Sequence, residues 1–243
     1  MPSKFLINYS PNFSTQRRIK KSIKYLIFHY TGMKSETKAI NRLTDVRSKV
    51  SCHYFVKRNG TILLMVPDFY KAWHSGKSKW KNIVSLNNNS IGIEISNKGH
   101  QFGYQSFSKK QIISLVELSK YLIKKFNISK KNILGHSDIS YDRKKDPGEK
   151  FPWKYLAKKK VGIWHDFSPE FLKKLRNVKV RDSDQKKMYY RLNSIGYSIG
   201  KISNKHKIYL IKAFQRRFRP ELINGKIDQE CLLIAKKLSK LFK

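Results

Sequence analysis

The sequence predicts an α/β fold, a mixed central β-sheet flanked by helices, with a small three-helix domain after it. Three observations predict this. Short apolar runs end abruptly in polar loops, as strands buried in a sheet do. One long amphipathic stretch sits among them. From about residue 184 the pattern becomes wholly helical. A length of 243 residues fits one larger domain with an appendage, placed at 1–166 and 167–243.

Tyr25 to Phe28 is the first apolar run, followed at once by His29-Tyr30-Thr31-Gly32. His53 to Val56 and Thr61 to Val66 flank Asn59-Gly60, a hairpin signal because both turn positions favour positive φ. Ser90 to Ser96 alternates as a strand does. Ser108 begins a long helix with Gln111 placed to close a capping box, and its apolar stripe is Ile112, Leu115, Val116, Leu122, Ile123 and Phe126. Asn132 to Leu134 forms a short strand leading into Gly135-His136, and 137–152 reads as a loop ordered only by its contacts. Breaks at Gly196 to Gly200 and Pro220 to Gly225 divide the remainder into three helical stretches.

The formal net charge of +37 suits attraction to polyanions. The lysines are nevertheless scattered through nearly every segment, which favours a solvated, biased surface over a dedicated polyanion site. In the stretch from Phe214 to Arg219, helical spacing puts Phe214 and Phe218 on the core side and leaves Arg216, Arg217 and Arg219 to solvent. Cys52 and Cys231 are too far apart in sequence to form a paired-cysteine metal motif. No stretch has the length and purity of a membrane helix, and Met1 to Lys4 show no apolar core of an export signal.

His29 and His136 each stand just past an apolar strand, and Asp146 follows the second histidine by ten residues. Adjacent strand ends could bring two imidazoles and a carboxylate onto one ion, leaving a fourth position open for hydrolysis. Glu94 interrupts Ile91, Ile93 and Ile95, where a carboxylate is costly without a partner or a task. Lys144 stands two residues before Asp146, on the same loop. By spacing alone, these residues serve equally well as structural histidines and salt-bridge partners.

Six segments occur in the order seen in one known family: Ile27-Phe28-His29-Tyr30-Thr31, Ser51-Cys52-His53-Tyr54-Phe55-Val56, Ala72-Trp73-His74-Ser75-Gly76, Ser90-Ile91-Gly92-Ile93-Glu94, Gly135-His136-Ser137-Asp138-Ile139, and Arg143 to Gly148 followed by Phe151-Pro152-Trp153. In these the chain resembles the type 2 N-acetylmuramoyl-L-alanine amidases, whose fold is shared with peptidoglycan recognition proteins. The tail, from Ala213 to Pro220 with Asn224-Gly225 and Ile234-Ala235, resembles the helical peptidoglycan-binding-type module of the AmiD-like branch.

The resemblance implies zinc held by His29, His136 and Asp146, Glu94 as the catalytic carboxylate, and Lys144 as the group stabilising the oxyanion. It also implies His74 and Trp73 lining a cleft for peptidoglycan or muropeptides. His53 reads as structural. Cys52 occupies a position where some relatives carry a catalytic tyrosine, and a role for it as a fourth zinc ligand is a minor alternative. The rival readings are a non-catalytic recognition protein of the same fold and a polyanion-binding protein. The resemblance favours the bacterial cell envelope, whereas the N-terminus favours the cytoplasm. Oligomeric state is not legible.

Overall fold

The computed structural model describes residues 5–200 and 203–242; Met1 to Lys4, read above for an export signal, lie outside them. Its strands are β1 (Phe5–Ile7), β2 (Phe13–Ser14), β3 (Tyr25–Tyr30), β4 (Tyr54–Val56), β5 (Ile62–Leu64), β6 (Lys71–Ala72), β7 (Lys79–Trp80), β8 (Ile83–Val84), β9 (Ser90–Ile95) and β10 (Ile133–Gly135). Its helices are α1 (Glu36–Thr44), α2 (Lys109–Phe126), α3 (His136–Ile139), α4 (Trp153–Lys158), α5 (Pro169–Leu175), α6 (Asp182–Ile195), α7 (Asn204–Phe218) and α8 (Gln229–Lys240). Six strands form the central sheet in the order β1-β5-β4-β9-β3-β10, with only β4 and β5 antiparallel to each other. The expected hairpin is this antiparallel pair; of its two turn positions Gly60 has the expected positive φ, +87°, whereas Asn59 does not.

Strand alternation sorts the two faces of the sheet. Leu26, Phe28, Ile91, Ile93 and Ile95 pack with Leu115, Leu118 and Leu122 of α2 and with Leu156 of α4. The capping box of α2 is present as expected, while Leu118 and Ser119 join its buried face and Ile112 and Ile123 are only partly buried. On the opposite face Tyr25, Ile27 and Leu134 share one apolar cluster with Leu192, Leu210, Phe214 and Leu238 of the last three helices. Farther along that face, α1 covers Phe55 and Leu63 through Ala39 and Leu43.

The expectation of an irregular loop over 137–152 is corrected at its start. His136–Ile139 makes a helical turn, and every residue from His136 to Ser140 is buried. The exposure expected for the arginines at the end of α7 and just after it is also corrected: Arg216, Arg217 and Arg219 are buried, at 8%, 3% and 1% exposure. Each has an acidic partner. Arg216 lies 3.7 Å from Glu149, Arg217 pairs with Asp138, and Arg219 reaches Asp228 at 2.5 Å and Glu230 at 3.3 Å. Apolar periodicity carries no information about such pairing, because it scores an arginine as polar whatever stands opposite it.

Candidate metal centre

The cleft opens at the C-terminal ends of three adjacent parallel strands, where open α/β sheets commonly bind ligands. His29 is near the end of β3, Glu94 near the end of β9, and His136 directly follows β10. His29 and Glu94 are paired in register across β3 and β9, so their side chains emerge on the same face. Asp146 comes from the loop after α3, and its carbonyl accepts the N–H of Ser137 at 2.8 Å, tying the loop back beside His136.

Three ligand atoms converge. His29 Nδ1 lies 2.9 Å from His136 Nδ1 and 3.1 Å from Asp146 Oδ2, and His136 Nδ1 lies 3.0 Å from Asp146 Oδ2. Among the described residues these form the group of His, Cys and acidic side chains able to hold a metal ion, and all three are buried. Donors placed about 2.0 to 2.1 Å from an ion in a tetrahedron stand roughly 3.3 Å from one another, so the spacing fits a small cation.

The hydrogen bonds behind the two histidines fix their tautomers. His136 Nε2 is 3.1 Å from the Ser75 carbonyl, which only accepts, so Nε2 carries the proton and Nδ1 presents its lone pair. Ser90 Oγ donates to the Leu86 carbonyl at 2.7 Å and accepts from His74 Nε2 at 3.1 Å. His74 Nδ1 therefore accepts, at 3.0 Å, from His29 Nε2, which leaves His29 Nδ1 free as well.

Burial, with the neighbouring His136 adding, lowers the His29 imidazole to about 4 and keeps it neutral. Burial alone would raise the Asp146 carboxyl, but His136 and His29 hold it well below the usual carboxylate range. Burial pushes the Glu94 carboxyl up to about 8; Asp146 adds to the rise and the Lys144 ammonium opposes it. Glu94 Oε2 is buried with no hydrogen-bond partner. Such an atom is costly unless something fills the cleft beside it.

The cleft encloses about 620 Å³, and Trp73, His74, Glu94 and Lys144 line it with His29, His136 and Asp146. Trp73 is half-buried, its Nε1 donating to Ser14 Oγ at 3.1 Å. His74 has both ring nitrogens engaged, one toward His29 and one toward Ser90. His53 is fully buried away from the ligands, between Arg18, the Tyr70 carbonyl and the Gly92 N–H. Cys52 is packed with Phe55, Leu63 and Met65, outside the ligand group, with its thiol 3.7 Å from the Met65 sulfur.

Sequence reasoning missed Ser75, Ser90 and Gly92. Only Gly92 left a signal, as a lone glycine inside a strand. A Cβ there would lie 2.3 Å from His74 Cγ, so the glycine makes room for that ring.

The family model described as N-acetylmuramoyl-L-alanine amidase matches residues 19–149. The chain is 34% identical to the N-acetylmuramoyl-L-alanine amidase AmiD of Escherichia coli, over 89% of this chain and 82% of the relative. It is 32% identical to the 1,6-anhydro-N-acetylmuramyl-L-alanine amidase AmpD of Haemophilus influenzae, over 61% of this chain and 88% of the relative. Its structure resembles that of E. coli AmiD bound to the substrate anhydro-N-acetylmuramic acid-L-Ala-D-gamma-Glu-L-Lys, with a TM-score of 0.80, 31% identity, and 94% and 92% of the two chains covered. It equally resembles AmpDh3 of Pseudomonas aeruginosa in complex with anhydromuramic pentapeptide, with a TM-score of 0.81, 28% identity and 98% of each chain covered.

Proposed function

Because the chain belongs to the N-acetylmuramoyl-L-alanine amidase family, we propose that its cleft holds zinc on His29, His136 and Asp146 and uses Glu94 and Lys144 for catalysis. The enzyme hydrolyses the amide between the lactyl group of an N-acetylmuramoyl or anhydro-muramoyl sugar and L-alanine, and its substrate is peptidoglycan or a muropeptide. The single observation that carries the site assignment is the meeting of three deprotonated donor atoms beside the unpartnered Oε2 of Glu94.

Zinc suits two imidazole nitrogens and one carboxylate oxygen, and when bound it supplies Lewis acidity toward the scissile carbonyl and toward water. His29 and His136 keep their Nδ1 lone pairs on the site because their protonated Nε2 atoms donate to His74 Nδ1 and to the Ser75 carbonyl. Glu94 accepts a proton from the water that attacks the carbonyl carbon. It then returns that proton to the alanine nitrogen as the C–N bond breaks, giving the lactyl carboxylic acid and the peptide amine, which exchange the remaining water proton to leave a carboxylate and an ammonium. With its carboxyl pushed to about 8 in the protein alone, Glu94 is tuned toward neutral pH, and a nearby cation draws it lower. Lys144 offsets the negative charge that grows on the carbonyl oxygen.

In this reading residues 1–166 are the catalytic part and 167–243 a helical, peptidoglycan-binding part. The bacterial envelope, where wall is degraded, is the expected compartment. No helix among the described residues is long and apolar enough to cross a membrane.

The test incubates the purified protein with anhydro-muropeptides and follows free peptide by mass spectrometry. Peptide release that stops on chelation and returns with zinc is the expected result. No release from the zinc-loaded protein would sink the enzyme assignment.

A further inference from the structure

The C-terminal helices reach the metal site from behind, and we infer that Arg217 and Tyr197 are positioning residues that hold His136 in place through Asp138. The inference rests on reading His136 as a metal ligand. α3, which carries His136, has only four residues. A single turn does not sustain itself, since helix nucleation is unfavourable until more bonds follow. Something outside it has to fix the imidazole where it meets His29 and Asp146.

Asp138 collects the contacts that do so. Its Oδ2 accepts the Gly135 N–H at 2.7 Å, closing the turn on itself, and also accepts from Arg217 Nη1. Its Oδ1 accepts the Tyr197 hydroxyl at 2.7 Å. The other arm of the guanidinium, Arg217 Nη2, donates to the Ile133 carbonyl at 2.7 Å. Arg217 thus grips the strand that leads into His136 and the turn that follows it. The guanidinium carbon lies 4.4 Å from the centre of the Trp153 ring, and a Cβ on Gly135 would sit 3.3 Å from that same ring. Asp138, Arg217 and Tyr197 are at most 3% exposed.

A bridge that merely glued the helices to the sheet would need no fork around the ligand. A lysine would supply the charge but not the two rigidly spaced donors. Hydrogen-bonded groups behind a ligand commonly alter metal affinity by about 10- to 100-fold when removed. A purely structural ion pair alters stability and leaves affinity alone.

The experiment uses the full chain and zinc itself, with affinity measured by competition against a chromogenic chelator, alongside urea denaturation and kcat and KM at saturating zinc. Arg217→Ala should weaken zinc binding about 10- to 100-fold, Arg217→Lys should recover only part of the loss, and Tyr197→Phe should weaken binding by a smaller factor. KM should hold while kcat falls. Arg176→Ala is the control, because its ion pair with Glu230 joins α8 to the segment just after α5 and does not touch α3. It should cost stability without changing zinc affinity.

If Arg217→Ala fails to fold, Tyr197→Phe decides, since it removes a single oxygen. Variants that bind zinc as tightly as the wild type, whatever their stability, would overturn the inference alone. A wild-type protein that binds no zinc would overturn the ligand assignment and this inference with it.

Discussion

Glu94 shows how one residue can be legible in sequence while its surroundings are not. A carboxylate among Ile91, Ile93 and Ile95 is conspicuous because alternation would otherwise make the strand uniform. The orphaned Oε2 and the raised carboxyl are properties of the folded cleft alone. Glu94→Gln should retain zinc and reduce kcat by about 10²- to 10⁴-fold, the usual worth of a general acid–base group. Metal content by atomic absorption and turnover of a muropeptide check this together, and undiminished turnover would remove Glu94 from the proton transfer. Lys144→Ala should lower kcat by about 10²- to 10³-fold with little change in KM, because its charge matters most when the oxyanion forms. An equal rise in KM at constant kcat would make Lys144 a binding residue instead. His74 was legible as a cleft residue but not as the partner that orients His29. Its ring nitrogens bond to His29 and Ser90, distant in sequence and brought together only by the sheet.

At the scale of elements, strand β9 does two jobs on its two faces. Ile91, Ile93 and Ile95 pack on α2, while Glu94 lines the cleft and Ser90 and Gly92 seat the His74 ring beside it. Gly92→Ala puts a methyl group within 2.3 Å of the His74 ring on a strand with no freedom to retreat. Overpacking of this kind costs about 1 to 3 kcal/mol. Since His74 carries the hydrogen bond to His29, zinc affinity should fall as well. Denaturation midpoints and chelator competition measure the two effects, and a stable variant with intact affinity would show that His74 can move freely.

The elements found in the sequence were those with strong periodicity, such as α2 with its eighteen residues and capping box. Helix α1 escaped because only Ala39 and Leu43 of its nine residues are buried, too few to set a period. Strand β1 escaped because Leu6 and Ile7 are exposed, and its assignment depends on pairing with β5. α3 escaped because all four of its residues are buried, leaving no polar face to mark a turn.

For the whole molecule, the net charge of +37 leaves 16 acidic residues to do all the pairing. Asp68, Asp138, Asp146, Asp228 and Glu230 are buried, so acids are spent inside while the surface stays basic. Buried titratable groups also shape stability against pH. In the metal-free protein His29, His53 and His74 are held neutral chiefly by burial, with His136 adding at His29, Arg18 at His53, and His29 and His53 at His74. Unfolding frees each to take up a proton below its ordinary value of 6.5, so the unfolded state binds more protons and stability falls as pH drops from there.

Glu94 works in the opposite direction. Its carboxyl is raised from 4.5 to about 8, so the folded protein keeps a proton that the unfolded chain has released, and stability falls as pH rises through that interval. Between 4.5 and 6.5 the three imidazoles outweigh the one carboxyl; above 6.5 the carboxyl leads, and the Cys52 and Cys231 thiols, raised from 9.0 by burial, add to the decline only at the alkaline end. The metal-free enzyme should therefore be most stable near pH 6.5 and lose stability on both sides, as urea titrations from about pH 5 to about pH 8.5 would record. Glu94→Gln should remove the decline between 6.5 and about 8 and keep the acid one. A decline over that interval that survives in the glutamine variant would assign it to some other group.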